Sequence, residues 1–283
     1  MNIPMTMRTF LALLMLAVAL TNTGCRAPAA KTVTISLSGA WALYPLAVKW
    51  GEAFRELHPE VKFDISAGGA GKGMTDALSG AVDIGMVSRD IDPAEKANGA
   101  YPIFVAKDAV FPIVNAKNPA LPKLLAQGMT LQTFHDIYIT QKVTTWQQAV
   151  GGPDSPIHCY TRSDACGAAS AWAAALGNFK QDDLKGIGVH GDPGLLETVQ
   201  RDQLGLGYNN LGFVFNGDAI VEGVVIVPID ANNNGKVDAD ERIDTRAAAY
   251  QQISAGRYPA ARREYFVPKA SRQASCASSS NSP

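Results

Sequence analysis

The chain has 283 residues, with 25 Lys and Arg against 26 Asp and Glu and 47% hydrophobic residues. That length holds one large or two medium domains once an N-terminal signal is set aside. So balanced a charge leaves no footprint for nucleic acid or for acidic membranes, and any anion site must be local.

Residues 1–25 read as a targeting segment: Arg8 supplies a positive start, and residues 10–20 form an apolar stretch too short for a comfortable membrane span. Thr23, Gly24 and Cys25 resemble the end of a lipoprotein signal, with Cys25 as the acylated first residue, although Asn22 stands where Leu is usual. Plain secretion is the alternative, and either way the chain is exported to the periplasm or cell surface. Residues 26–31 form a short tether, and no later stretch is apolar enough to span a membrane. Residues 32–37 alternate as a strand, Pro45 suits a first helical turn, and Leu46 to Leu57 follow helical spacing until His58 and Pro59 stop it. Trp50 and Phe54 in that helix read as core. A strand over 61–66, a Gly-rich turn over 68–73 leading into a helix, and a buried strand over 81–87 complete a β-α-β-α-β run. This is the pattern of a parallel sheet covered by helices, which binds ligands beyond the carboxyl ends of its strands. Further extended runs cover 104–114, 205–209, 213–215 and 221–229, and helices are expected near 131–138, after Gly191-Asp192-Pro193 and over 247–254. The tail, 269–283, is Ser-rich, carries Cys276, lacks an apolar pattern and is expected to be disordered.

The stretch from Cys159 to Trp172 carries the most chemistry. Ile157, Cys159 and Tyr160 are strand-like, Arg162, Ser163 and Asp164 are polar and turn-like, and an Ala-rich helix begins at Gly167. Free N–H groups and the dipole at a helix start bind anions. Arg162 adds a planar, permanently charged donor. Asp164 can hold that guanidinium flat or accept a proton from a partly protonated ligand. The bland alternative is a helix cap with a surface Asp–Arg pair. Export permits a disulfide between Cys159 and Cys166, which flank the loop. Cys166 with His158 or His190 is a weaker nucleophile candidate. The four His residues show no metal spacing.

Residues 230–241 fit an EF-hand calcium loop position by position. Asp230, Asn232 and Asn234 stand at the first three ligand positions, and Gly235 at the sharp turn. Lys236 offers its carbonyl, Asp238 follows, and Glu241 closes the site. The loop leaves a strand rather than a long helix, so it reads as a lone structural Ca2+ site.

Several stretches together resemble the substrate-binding proteins of ABC phosphate importers. They are Ser38-Gly39 with Tyr44-Pro45-Leu46 and Lys49-Trp50, the turn from Ala67 to Gly73, the strand from Val82 to Arg89, Val105 to Ala109 with Val114-Asn115, and Thr161-Arg162 through Gly167. The resemblance covers residues 32–268. It implies a two-lobed α/β periplasmic-binding-protein fold of type II, with a ligand cleft between lobes joined by two crossing strands. The first lobe is expected to hold 32–110 and 213–268, with the 230–241 loop, and the second 111–212. The implied protein is a monomer, not an enzyme, that hands phosphate or a similar oxyanion to a permease. The implied ligand set is Ser38, Gly39, Ala40, Trp41 and Ala42; Ala70, Gly71 and Lys72; Ser88 and Arg89; and Arg162, Asp164, Cys166, Gly167 and Ala168. This chain departs from the family pattern where Trp41 and Ala70 replace hydroxyl residues and where Cys166-Gly167-Ala168 replaces Ser-Gly-Thr. Arg89 stands where some members carry Asp. Backbone donors survive these changes. With Lys72, Arg89 and Arg162 converging, the cleft would favour a more fully charged anion. A hydrolase, and a sensor or scaffold that has lost transport, are the other readings of the same scaffold.

Overall fold

The structure, a computed structural model, describes residues 32–269. The predicted signal, Cys25, the tether and all but the first residue of the tail lie outside the described residues. The described residues from Thr34 to Lys269 fall into one compact unit.

The helices, in chain order, are α1 (Tyr44–Leu57), α2 (Ala70–Ser79), α3 (Pro93–Ala97), α4 (Leu121–Gln127), α5 (Leu131–Tyr138), α6 (Trp146–Val150), α7 (Gly167–Ala175), α8 (Gly191–Arg201), α9 (Leu211–Val214) and α10 (Arg246–Ser254). The strands of the main sheet are β1 (Val33–Gly39), β2 (Val61–Ala67), β3 (Ile84–Val87), β4 (Ile103–Asn115), β5 (His158–Arg162), β6 (Ile187–Val189), β7 (Gly205–Asn210), β8 (Val224–Ile226) and β9 (Ala261–Pro268). Their order is β2-β1-β3-β9-β4-β7-β5-β6, with β8 also paired to β4. The α/β, two-lobed architecture is therefore as the sequence predicts. Among the described residues no helix is long and apolar enough to cross a membrane.

β4 joins the lobes. Its residues up to Ala109 pair with β9, and from Val110 it pairs with β7 and β8. Two hydrophobic cores follow this division. The smaller gathers Leu37, Leu43, Met74, Met86 and Val267, and the larger begins at Ala109 and includes Trp146, Trp172 and Tyr208. The chain returns to the smaller core at β9, not near 213. Val214, Phe215, Ile226, Ile243 and Ile253 all pack in the larger core, so the 230–241 loop belongs to that lobe. The expected strand over 213–215 is mostly the single turn α9. β9 escaped the sequence pattern because Arg262, Arg263 and Glu264 interrupt its apolar residues. Trp50 and Phe54 are not core but exposed.

Candidate functional site

The site forms where two strand–loop–helix units of different lobes meet. After β1, Ala40 N–H donates to the Met86 carbonyl at 2.8 Å, and the chain enters a short turn, Trp41–Leu43. After β2, Gly69 caps α2 at φ +92°, where a Cβ would stand 2.4 Å from the Ala165 carbonyl oxygen. Only glycine fits so close an approach. Gly71 N–H donates across the cleft to that same carbonyl at 3.3 Å. Gly167, at the start of α7, sits equally tight on Ser88, whose carbonyl oxygen would be 2.0 Å from an added Cβ. The lobes are closed on one another, with the N-terminus of α2 and that of α7 in the seam.

Arg162, at the end of β5, is the floor of this site, its side chain only 1% exposed. Nε and Nη2 donate to the two oxygens of Asp164 at 2.8 and 2.6 Å, and Nη1 donates to Asp192 Oδ2 at 2.7 Å. A guanidinium has five N–H donors, so two remain. Asp164 also accepts from Gly191 N–H at 3.1 Å, and Asp192 Oδ1 accepts from Asn210 Nδ2 at 2.5 Å. Asn209 Nδ2 fixes the Asp192 carbonyl at 2.8 Å. Burial works against the charged guanidinium, but the Asp192 and Asp164 carboxylates outweigh it and raise its pKa. Burial acts on Asp164 in the upward direction, yet the bonds and charge of Arg162 hold it below the usual carboxylate range. Burial leaves Asp192 raised. The pair is thus not a surface pair but a buried, oriented cluster.

The cluster continues to the hinge. Arg262 on β9 donates through Nη2 to Asp108 on β4 at 2.9 Å and also contacts Asn210 Oδ1, while Glu264 Oε1 lies 3.9 Å away. Asp192, Asn209, Asn210, Asp108, Arg262 and Glu264 all escape the sequence reading. Gly191-Asp192-Pro193 reads there as a loop, whereas it is the first turn of α8, with acid and Pro where a helix start favours them.

Three expected ligands face elsewhere. Lys72 pairs with Asp76, one turn along α2, and Ser38 Oγ donates to Asp76 at 2.5 Å. Arg89 makes two bonds to Glu95, at 2.7 and 2.9 Å, and lines a groove of about 930 Å³ shared with Lys107, Ser170, Arg257 and Arg262. Lys72, Arg89 and Arg162 therefore do not converge. Trp41 does line the cleft: its ring is 3.2 Å from the place of a Cβ on Gly191, it meets His190 edge-on, and its Nε1 is buried without a partner.

Cys159 and Cys166 are both free, not a disulfide. Cys159 Sγ turns to the Lys185 carbonyl at 3.5 Å, and Cys166 Sγ caps α7 by accepting Ala169 N–H at 3.4 Å. The helix cap needs the Cys166 sulfur to point inward, away from β5. Burial pushes the Cys159 thiol up to about 12 and the Cys166 thiol up to about 11, so neither is a thiolate near neutral pH.

In the 230–241 loop, Gly235 adopts φ +74° and its N–H donates to Asp230 Oδ2 at 2.9 Å. Glu241 folds back, accepting from Ala231 N–H at 2.8 Å and Asp238 N–H at 3.0 Å. The Asn232 and Asn234 amides both reach Asp238 Oδ2, at 2.8 and 2.7 Å. Among the described residues, no group of three or more His, Cys, Asp or Glu side chains is gathered around one metal position.

A family model described as a PBP superfamily domain matches residues 26–277. The phosphate-binding protein PstS 2 of Streptococcus agalactiae is 29% identical over 112 residues, 40% of this chain and 36% of that protein, so the match spans about a third of that relative's length. The phosphate-binding protein PstS of Borreliella burgdorferi is 24% identical over 207 residues, 70% of each chain. Among solved structures, a Clostridium perfringens protein with bound phosphate, assigned as a phosphate ABC transporter substrate-binding protein, superimposes with a TM-score of 0.70 at 27% identity, covering 83% of this chain and 86% of its own. An ABC-type phosphate transport receptor from Vibrio cholerae shares the fold, with a TM-score of 0.59 at 20% identity over 86% and 90% of the two chains.

Proposed function

The chain belongs to the PBP superfamily, and from that premise we propose that it captures phosphate, or a similar tetrahedral oxyanion, between its lobes and presents it to an ABC permease. The observation that carries this reading is Arg162: buried, held flat by Asp164 and Asp192, with two N–H donors left beside two helix starts. The first turns of α2 and α7 add backbone N–H groups that have no intrahelical acceptor. Trp41 Nε1 stands in for the hydroxyl expected after Ala40.

Two carboxyl groups around one guanidinium leave the floor of the cleft with no surplus of positive charge. A ligand that brings its own proton can donate it to Asp164, which Arg162 holds in the ionised direction, whereas a fully ionised dianion has no proton to offer that carboxylate. This reverses the preference expected from three converging cations and favours hydrogen phosphate over sulfate. Hinge closure about β4 and β9 removes water from these bonds and presents the permease with a closed shape. No bond is broken. Delivery from the periplasm or cell surface, with Cys25 as lipid anchor, completes the role.

Calorimetric titration of the calcium-loaded protein with phosphate, arsenate, sulfate, molybdate and tungstate tests this reading. Phosphate and arsenate binding that sulfate cannot displace is the expected result. Sulfate binding as tight as phosphate would sink the protonated-ligand reading, and silence to all five anions would leave a sensor or scaffold.

The loop at 230–241 is the second component, a structural Ca2+ site supplied with oxygen by Asp230, Asn232, Asn234, the Lys236 carbonyl, Asp238 and Glu241. What supports it is the left-handed Gly235 and the loop N–H groups that Asp230 and Glu241 tie together, with the ligand residue types at EF-hand spacing. Binding would need the Asn232 and Asn234 amides, which now donate to Asp238 Oδ2, to turn and offer their oxygens instead. Val237 N–H bonds the Ala126 carbonyl at 3.0 Å, so occupancy would brace the end of α4 in the larger lobe. At a hundredfold excess over Kd, Ca2+ contributes about 2.7 kcal/mol, or roughly 5–10 °C in Tm for a domain of this size. The Asp230→Ala, Glu241→Ala double variant is expected to lose that rise in a thermal melt with and without chelator. An equal rise in the variant would remove the loop from consideration.

A further inference from the structure

α1 has more apolar surface than its own lobe covers. Ala47 and Gly51 form its buried side, against Phe63 of β2. Trp50, Phe54 and Leu57, at i, i+4 and i+7, form a second stripe that is 44%, 42% and 79% exposed. That stripe continues onto the sheet, where Trp50 meets Phe266 of β9 edge-on at 5.9 Å and Phe266 pairs with Ile103 of β4. Ile103 is 45% exposed and Tyr101, just before β4, is 72% exposed, while Phe104 faces the other side of the sheet with Tyr265. Four of the nine exposed large hydrophobic residues among the described residues, Trp50, Phe54, Leu57 and Ile103, thus fall on this one face, with Tyr101 at the approach to β4. Scattered apolar residues need no explanation, but a contiguous set marks a contact surface.

The occupant follows from the tether. Eight residues separate the candidate acylation site, Cys25, from Thr34 in β1, a strand of this same sheet, and the stretch spans at most about 30 Å. An anchored chain cannot move its smaller lobe farther than that from lipid. At so high an effective concentration, a patch that binds only weakly by itself is held against the surface. Trp and Phe suit the boundary between headgroups and acyl chains. We propose that the α1–β9–β4 face rests on the lipid bilayer to which Cys25 anchors the chain, through apolar contact rather than charge. The inference rests on the lipid-anchor reading.

Trp50 is the reporter. Trp146 and Trp172 are fully buried and Trp41 lies in the cleft, so lipid can reach only Trp50. The chain beginning at Cys25, with Cys276→Ser, is coupled through Cys25 to a maleimide phospholipid in zwitterionic vesicles with or without brominated acyl chains. Quenching by brominated lipid, abolished by Trp50→Phe, is the expected result. With Cys25→Ser and no coupling, Trp50→Ser with Phe54→Ser should weaken the remaining partition at least about tenfold. Equal emission in both kinds of vesicle overturns the proposal. So does sedimentation showing a dimer in solution that the same two substitutions dissociate, since the face then belongs to a second copy. Mass spectrometry of the native chain separates the two layers. A chain without an acyl group removes the anchor and the inference with it, whereas an acylated chain without quenching removes the docked face alone.

Discussion

Arg162→Ala is expected to abolish measurable phosphate binding and to weaken the fold as well. Truncating one member of a buried, hydrogen-bonded charge cluster costs binding roughly two to four powers of ten. Asp164 and Asp192 each lose a partner at 2.6–2.7 Å, and both are almost wholly buried. Leaving buried carboxylates uncompensated costs about 3–5 kcal/mol. The two effects can be separated. Arg162→Ala with Asp192→Asn removes one of the stranded charges and keeps the amide contact to Asn210, so it should recover much of the stability in a denaturant titration. It should recover none of the affinity in calorimetry. A folded Arg162→Ala protein with unchanged phosphate affinity would take Arg162 out of the site. Arg162→Lys is a useful intermediate: it keeps the charge but cannot hold the side-on pair of bonds to Asp164, so affinity should fall while stability suffers less.

How far the sequence carries depends on whether a feature is local. The strand–loop–helix units at Ser38, Gly69 and Arg162 are local, and their glycines are needed where an added Cβ would stand 2.0–2.4 Å from a neighbouring carbonyl oxygen, so the position of the cleft is legible. The partners of each charged side chain are not. Lys72 and Arg89 sit in the right loops, but Asp76 and Glu95 lie within one or two turns and capture them first. Asp192 lies 30 residues from Arg162 and reaches it only because β6 and α8 pack beside β5. Cys159 and Cys166 have disulfide-like spacing, but strand β5 and the helix cap of α7 turn their sulfurs apart. The lobe boundary failed for another reason. β9 carries three charged residues in a row, of which Arg262 and Glu264 face the buried cluster at the hinge, and that masks a strand whose buried core contact is Val267. Trp50 and Phe54 follow core spacing without being core, since spacing reports only that a face is apolar, not that something of the same chain covers it.

That hinge cluster gives the second large expectation, which concerns pH. Burial, with the Asp108 charge beside it, pushes Glu264 well above the usual carboxyl range, and its Oε1 has no hydrogen-bond partner. Burial raises Asp108 too, against the pull of Arg262. Two acids around one guanidinium cannot both ionise cheaply, so Glu264 keeps its proton in the folded protein. The unfolded chain gives up that proton near pH 4.3. Above this pH the unfolded state binds fewer protons than the folded one, so Glu264 lowers stability steadily as pH rises, until its folded pKa is reached. The slope for one such group approaches about 1.4 kcal/mol per pH unit. Other carboxylates act in the opposite sense. Asp83, held at about 2 by Lys269 and Ser36, stabilises above its unfolded pKa and loses that contribution as pH falls. The net profile is therefore a dome, and only a difference isolates the hinge. Glu264→Gln has no proton to lose in either state and keeps a polar group of the same shape beside Asp108. Its stability relative to the native chain should grow between pH 5 and 8, read as the change in denaturation midpoint at each pH, while phosphate affinity at a single pH stays the same. A flat difference across that range would mean that Glu264 is ionised in the folded hinge and that Arg262 serves both acids. A growing difference would place a protonated carboxyl on β9, within one buried chain of contacts from Arg262 through Asn210 and Asp192 to the guanidinium of Arg162.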